Sequence, residues 1–294
     1  MHEPVLLKEV EQLFAPLEMK VFFDGTIGAG GHAERILEKH GEIELYIGCD
    51  VDPKALDIAE KRLAPWRKKV HLVQGNFAEV ESFLAKDKVH SIEGALLDLG
   101  VSSMQLDTPE RGFSFQRSGR LDMRMNPKIN VTAEEIVNSY SEKELARIFR
   151  DFGEEPQWRK AVRAIIETRR KKPIHTTQEL SLLLEKVVKR RGKIHPATRI
   201  FQALRIEVNQ ELDLLRVGLE NITKHLSVHG RLGVISFHSL EDRIVKHSFR
   251  AMAKKENGAF DLVWKKPLPP SREEMRKNPR SRSAKFRAIE RAEI

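Results

Sequence analysis

The sequence predicts an α/β protein in which a doubly wound parallel sheet is interrupted by an all-helical insertion. Short apolar runs alternate with helical patterns over residues 21–77, helical patterns alone occupy residues 131–222, and the alternation resumes at residue 232. Strands that alternate with helices form parallel βαβ units, because a parallel connection needs a crossover. The pattern therefore indicates one α/β domain that is split by an insertion.

The first part of the α/β pattern contains four predicted strands. A helix with Ala33, Ile36 and Leu37 on its apolar face follows the first strand, and Asp52 with Pro53 provides the N-cap and the first turn of the next helix. The predicted strands are residues 21–23, 45–47, 70–73 and 95–97.

The remaining elements complete the insertion and the sheet. Ser141 and Glu144 predict a capping box in the insertion, and Ser239 is the predicted N-cap of a helix that follows a strand at 232–235. Two further strand-like runs are residues 261–264 and 285–289. We predict a discontinuous domain made of residues 1–110 and 216–294, with an inserted helical domain at 111–215.

The composition predicts a protein of a reducing compartment. No apolar run reaches the roughly 18 residues of a membrane helix. Residues 1–4 lack the basic and apolar segments of a signal peptide. The single cysteine, Cys49, excludes an internal disulfide and a thiolate zinc cage. We therefore expect a cytoplasmic protein with neither a membrane nor a metal as partner.

Positive charge is concentrated in the later part of the chain. The 52 Lys and Arg exceed the 43 Asp and Glu, for a net charge of +9. Residues 1–110 carry 12 basic and 20 acidic side chains, whereas residues 111–294 carry 40 and 23. One dense basic run is residues 169–172. This segregation suggests a polyanionic partner, and solvated lysine-rich helix faces are the alternative.

A glycine-rich loop follows the first predicted strand. Gly28, Gly30 and Ala33 fit the pattern G-x-G-x-x-A, and Asp50 ends the next strand about 20 residues further on. That layout fits an adenosine-containing cofactor whose ribose hydroxyls are bound by Asp50. Asp24 lies four residues before Gly28, at the predicted mouth of the loop, where its carboxylate repels a pyrophosphate and favours the ammonium and sulfonium groups of S-adenosylmethionine. We therefore favour S-adenosylmethionine over NAD.

Several motifs resemble those of the bacterial small-subunit ribosomal RNA (cytosine-N4)-methyltransferases, and they span nearly the whole chain. They are DGT at 24–26, GAGGH at 28–32, LDLGVSS at 97–103, RGFSF at 111–115, LDMRM at 121–125, HPATR at 195–199 and SFHSLEDR at 236–243.

The resemblance implies a class I S-adenosylmethionine-dependent methyltransferase (Rossmann-like) sheet with an inserted all-helical domain. It also implies methylation of the exocyclic N4 of one cytidine in the decoding region of 16S rRNA. The implied cofactor contacts are Gly30, Gly31, His32, Asp50, Phe77, Asp98 and Gln105, to which the glycine pattern adds Gly28. The arginines favoured for RNA contact are Arg111, Arg120, Arg124 and Arg199.

Asp98, at the end of the fourth predicted strand, is the candidate catalytic residue. Cytosine N4 is a poor nucleophile because its lone pair is delocalised, so an acceptor must bind the amino group and draw off its proton. Amino-directed methyltransferases carry Pro-Pro-aromatic after this position, but this chain has Leu99, Gly100 and Val101. The aromatic residue that stacks on the base therefore stays open; the candidates are Phe113, Phe115 and Phe237.

Alternative interpretations stay open from the sequence. Phe77 lies against an adenine or is an ordinary core residue, and Asp98 serves the cofactor, the base or both. An NAD-dependent oxidoreductase is a second class of function. A non-enzymatic RNA-binding protein that retains the fold is a third.

Overall fold

The computed structural model describes residues 4–190, 192, 194–254 and 258–293. Within them the chain forms two units, one running up to Gly100 and again from Leu212 onward, the other from Val101 to Glu211. These boundaries separate the two units by how the chain packs. The domain boundaries predicted from the sequence, 1–110 with 216–294 and 111–215, stay a prediction.

One mixed sheet forms the framework of the first unit. Its strands are β1 (Val21–Asp24), β2 (Leu45–Asp50), β3 (Val70–Gln74), β4 (Ile92–Asp98), β5 (Leu226–Ser236), β6 (Phe260–Leu262) and β7 (Lys285–Arg291). The order across the sheet is β3-β2-β1-β4-β5-β7-β6. The neighbours among β1–β5 pair in parallel, as predicted, whereas β7 pairs antiparallel with both β5 and β6. The predicted α/β class is confirmed, with an antiparallel edge.

The helices follow in chain order. In the first unit come α1 (Leu7–Phe14), α2 (Gly31–Lys39), α3 (Pro53–Arg62) and α4 (Val80–Lys86). The next six are α5 (Ser103–Asp107), α6 (Ala133–Ser139), α7 (Glu142–Arg147), α8 (Trp158–Arg169), α9 (Thr177–Val187) and α10 (Thr198–Asn209). The last are α11 (Glu211–Lys224), α12 (Ser239–Ala253) and α13 (Arg272–Lys277).

Helices cover both faces of the sheet because its strands are apolar on both sides. Successive strand residues point to opposite faces. Phe22 and Leu96 accordingly pack into a core shared with α1 and α2, while Phe23 and Leu97 pack into a second core shared with α4, α11 and α12. A parallel sheet buried in this way has its ligand crevice at the carboxyl ends of its strands.

The second unit is built from helices around its own apolar core. Phe149, Ile165 and Leu204 are among its fully buried side chains. The predicted capping box of Ser141 and Glu144 begins α7. None of the described helices is long and apolar enough to cross a membrane.

Candidate functional site

Three carboxylates lie at the carboxyl ends of neighbouring parallel strands. Asp24 ends β1, Asp50 ends β2 and Asp98 ends β4. Since β1 lies between β2 and β4 in the sheet, the three residues share one edge. The chain also reverses its direction of winding here, from β1–β3 on one side to β4 and β5 on the other. Open α/β sheets bind ligands at such a switch point.

The glycine loop between β1 and α2 needs glycine for its backbone shape. Gly28 and Gly30 have positive φ angles of 51° and 77°, which side-chain-bearing residues rarely adopt. Gly30 is the N-cap of α2 and Gly31 is its first residue. The loop therefore holds its backbone close to the carboxyl edge, without side chains at these three positions.

Asp50 supports the loop from the next strand. Its carboxylate accepts hydrogen bonds from the backbone amides of Gly28, at 3.0 Å, and Asp52, at 2.8 Å. Burial raises the pKa of Asp50 to about 6, against the lowering effect of these two amides. Each carboxylate oxygen has a further lone pair, so the predicted ribose contact is compatible with both bonds.

Asp24 lies beneath the loop, although the sequence suggested a position at its mouth. Its side chain is buried, at 2% exposure, and accepts hydrogen bonds from the Tyr46 hydroxyl at 2.9 Å and the Thr26 amide at 3.1 Å. Burial raises its pKa to about 6, and the Tyr46 bond opposes that rise. Asp24 is thus mostly ionised at neutral pH, and its charge interacts with His32 and Asp98. The sequence did not indicate the bond from Tyr46 to Asp24. It depends on the pairing of β1 with β2, which places Tyr46 opposite Phe22, two residues before Asp24.

The buried His32 ring lies beside the partly exposed Asp98 carboxylate, and both side chains have polar atoms without a hydrogen-bond partner among the described residues. His32 Nε2 lies 3.5 Å from Asp98 Oδ2, and the Thr26 hydroxyl oxygen accepts the Asp98 backbone N–H at 2.6 Å. Within the described residues, neither ring nitrogen of His32 nor Asp98 Oδ1 has a hydrogen-bond partner. Leaving buried polar atoms unpaired is costly, so native structures normally satisfy them. These atoms therefore offer donors and acceptors to a bound molecule.

Phe77 is half-buried and packs against α11. It opens a short 3₁₀ turn capped by Asn76, and its ring is half-buried. One edge of the ring packs against Gly218 of α11, where a side chain would overlap it. The contact of Phe77 with an adenine, which would use the part of the ring that does not face Gly218, stays a prediction.

Gln105 lies in the second unit, where it caps a helix. Its side-chain oxygen accepts the backbone N–H of Ser102 at 3.0 Å, and its own N–H donates to the Ser102 hydroxyl at 3.2 Å. This is a capping box, S-x-x-Q, and the spacing of these two residues was the available signal for it. Its predicted cofactor contact stays a prediction.

The four predicted RNA-binding arginines differ in how far their guanidinium groups are used within the protein. Arg111 donates to the backbone oxygens of Arg124 and Met125, each at 3.0 Å. Arg199 donates to the backbone oxygen of Glu154 at 2.8 Å. Arg120 has a 79% exposed side chain, and its nearest carboxylate, that of Glu134, is 3.9 Å away.

Arg124 is held by several hydrogen bonds within its own loop. It makes two bonds to the Asp122 carboxylate, both at 2.8 Å, and two more to the backbone oxygens of Pro127 and Ile129. Hydrogen bonding to Asp122 raises its pKa. Arg124 therefore fixes the shape of the loop that it lies in.

We expect Arg124→Ala to destabilise the protein by roughly 2 kcal/mol, because a half-buried Asp122 carboxylate and two carbonyls lose a charged donor. Thermal denaturation followed by circular dichroism measures this. The matched control is Arg120→Ala, whose exposed side chain predicts a change within about 0.5 kcal/mol. Equal melting temperatures for the two variants would contradict the structural role of Arg124.

The basic run at 169–172 is only partly available to a partner. Arg169 donates to the backbone oxygens of Val137, at 2.8 Å, and Tyr140, at 2.6 Å, so it ties α8 to α6. Lys172 bonds the Glu179 carboxylate at 2.9 Å. Arg170 and Lys171 are exposed. Two of the four charges thus have structural partners that the sequence pattern did not indicate.

The three aromatic candidates for base stacking fall in different places. Phe113 is 8% exposed and belongs to the core of the second unit. Phe115, in the same unit, stacks on His195 with ring centroids 4.5 Å apart. Phe237 directly follows β5 in the first unit and is half-buried. Next to it, His238 is the N-cap of α12, a position that the sequence assigned to Ser239.

Comparisons with known proteins cover the whole chain. A family model described as the MraW methylase family matches residues 1–292. A protein named "Ribosomal RNA small subunit methyltransferase H" from Protochlamydia amoebophila is 52% identical over 99% of this chain and 98% of its own. Proteins of the same name from Syntrophotalea carbinolica and Persephonella marina are 45% and 44% identical, and each alignment covers 99% of this chain and at least 98% of the relative.

Proposed function

The chain belongs to the MraW methylase family, and from this premise we propose that it transfers a methyl group from S-adenosylmethionine to the exocyclic N4 of a specific cytidine in the decoding region of 16S rRNA. The nearly full-length similarity to relatives named as small-subunit ribosomal RNA methyltransferases carries the proposal. The partner is then 16S rRNA within the small ribosomal subunit, in the cytoplasm.

The crevice suits a cationic cofactor. Asp24, Asp50 and Asp98 give its edge a negative charge that attracts the ammonium and sulfonium groups of S-adenosylmethionine. When bound, this cofactor supplies an electrophilic methyl group on sulfur. We assign the ribose to the Asp50 carboxylate and the adenine to the Phe77 ring. Because Gly28, Gly30 and Gly31 have no side chains, the cofactor can lie close to the backbone of the glycine loop. His32 and Gln105 are further proposed cofactor contacts.

Asp98 is the proposed acceptor for the target amino group. Its Oδ1 has no hydrogen-bond partner among the described residues, and its side chain is 26% exposed. A carboxylate at this point accepts a hydrogen bond from N4–H, which orients the lone pair of N4 toward the methyl group and favours loss of the proton. The proton that leaves N4 then resides on Asp98 until solvent removes it.

His32 is a proposed positioning residue for Asp98. Its imidazole lies 3.5 Å from Asp98 Oδ2 and is 8% exposed, so it limits the conformations of the carboxylate from one side. The exposed Arg120 and the half-buried Arg199 are the proposed RNA contacts with the most available guanidinium groups. For Arg111 and Arg124, RNA contact stays a prediction beside their structural bonds.

The experiment that tests the function is mass mapping of small-subunit RNA from a deletion strain. Unmodified particles from this strain should gain one methyl group on a decoding-region cytidine after incubation with the protein and S-adenosylmethionine. Calorimetric titration should detect S-adenosylmethionine binding and no NAD binding. Binding of NAD would favour the oxidoreductase, and RNA binding without cofactor binding would favour the non-enzymatic protein.

We expect affinity for S-adenosylmethionine to fall as pH falls from 7 to 5. Asp24 and Asp50 have pKa values of about 6, so protonation below pH 6 removes the negative charges that attract the cationic cofactor. Each carboxylate that must be ionised contributes up to about tenfold over this range. Calorimetric titrations at several pH values measure the effect.

The matched variant for this pH dependence is Tyr46→Phe. The Tyr46 hydroxyl stabilises the Asp24 anion, so its removal raises the pKa of Asp24 further. The midpoint of the affinity loss should then move to higher pH. An unchanged profile in Tyr46→Phe would show that the charge of Asp24 does not act on the cofactor.

A further inference from the structure

A cationic depression lies on the first unit, at the antiparallel edge of the sheet. It is lined by Lys246 and Arg250 of α12, Trp264 and Lys265 after β6, and Arg287 of β7. Among the described residues that line it, four are Lys or Arg and none is acidic. These charges come from three separate elements, so a single solvated helix face does not account for them.

Three of the four cations have no partner among the residues that the structure describes. Arg287 bonds the Asp242 carboxylate at 2.7 Å. By contrast, Lys246, Arg250 and Lys265 make neither an ion pair nor a hydrogen bond with any described residue. Like charges that converge repel one another, and no described carboxylate compensates the charges of these three side chains. An anion bound from outside the protein compensates them.

Trp264 gives the depression an aromatic wall. The side chain is half-buried, and its ring lies against Phe286 with centroids 5.4 Å apart. An exposed ring portion beside several cations matches the chemistry of single-stranded nucleic acid, in which phosphates alternate with flat bases. Aromatic rings stack on bases regardless of sequence, and Lys and Arg bind the phosphates.

The depression is also within reach of the crevice. β6 ends at Leu262, which pairs with Ile289, and Trp264 lines the depression together with Arg287, which pairs with Val234 of β5. Val234 is next to Ile235, which pairs with Asp98 of β4. From β4 to β6 the sheet spans three strand spacings, or about 15 Å. A few nucleotides of extended chain bridge that distance.

We propose that this cationic depression binds an RNA segment that flanks the target cytidine, with phosphates on Lys246, Arg250 and Lys265 and a base on Trp264. The proposal rests on the proposed function, since it assigns a second contact of the same substrate. It makes the depression a source of affinity for RNA and leaves cofactor binding to the crevice.

The test compares two triple variants that remove the same charge. The first is Lys246→Gln, Arg250→Gln and Lys265→Gln. The control is Lys61→Gln, Lys68→Gln and Lys86→Gln, which changes exposed lysines elsewhere in the first unit. The probe is a single-stranded RNA with the decoding-region sequence, titrated by fluorescence anisotropy at several salt concentrations. S-adenosylmethionine affinity is measured in parallel.

We expect the depression variant to bind RNA about tenfold more weakly near physiological salt. Its log–log salt slope should fall by roughly 2, since each phosphate contact to a single strand contributes about 0.7. The control should change less than twofold, and cofactor affinity should be the same in both variants. Equal RNA affinities and slopes for the two variants would overturn the proposal.

A fluorescence measurement tests the base contact without removing Trp264. In a Trp66→Phe, Trp158→Phe background, Trp264 is the remaining tryptophan, and RNA should quench its emission. Absence of quenching would overturn the assignment of a base to this ring. If the wild-type protein methylates small-subunit RNA while the depression variant matches the control, only this inference fails. If the wild type methylates none, the proposed function itself fails.

Discussion

Asp98→Asn should lower the single-turnover rate of methylation by roughly 10²–10⁴ at saturating S-adenosylmethionine, the usual contribution of a positioned acid–base group. The substitution keeps the size of the side chain and an acceptor oxygen near His32. It removes the negative charge that favours proton loss from N4. The measurement uses small-subunit particles that lack the modification.

Two comparisons separate catalysis from cofactor binding at Asp98. If the carboxylate only binds the cofactor, affinity and the rate at subsaturating cofactor fall together, and saturation restores turnover. A rate within threefold of wild type at saturation would remove Asp98 from catalysis. Asp57→Asn is the charge control, because Asp57 is exposed on α3 of the same unit and should leave the rate unchanged.

Asp50→Ala should weaken S-adenosylmethionine binding by about tenfold to a hundredfold, because a ribose hydroxyl loses a charged acceptor worth roughly 1.5–3 kcal/mol. Calorimetric titration measures the change. The same variant also frees the Gly28 amide, which Asp50 holds at 3.0 Å, so loop support contributes to the loss.

Asp50→Asn distinguishes these two contributions. Its amide oxygen can still accept the Gly28 N–H, but its NH₂ group cannot accept the Asp52 N–H that Asp50 accepts at 2.8 Å. A loss close to that of Asp50→Ala would point to the charge, and near-wild-type affinity would point to loop support. Full affinity in both variants would contradict the ribose assignment and direct attention to Asp52, whose side chain caps α3.

Much of the framework could be predicted because its signals are local. The four early strands appeared as apolar runs, and the glycine loop, the Asp52 cap and the Ser141–Glu144 capping box are each defined within a few residues. The parallel direction of β1–β5 followed from the helices between them. The antiparallel direction of β7 did not follow, because its pairing with β5 depends on a chain segment about fifty residues away.

The sequence by itself determined the α/β class, the glycine loop and the acidic residue at the end of each of three strands. Only the tertiary structure decided which polar side chains are already engaged. Arg124 bonds Asp122 and two carbonyls, and Arg169 bonds carbonyls of α6 and the segment after it. Asp24 is buried and accepts a hydrogen bond from Tyr46. Charge and motif are properties of the residue itself, whereas hydrogen-bond partners and burial depend on segments that only folding brings together.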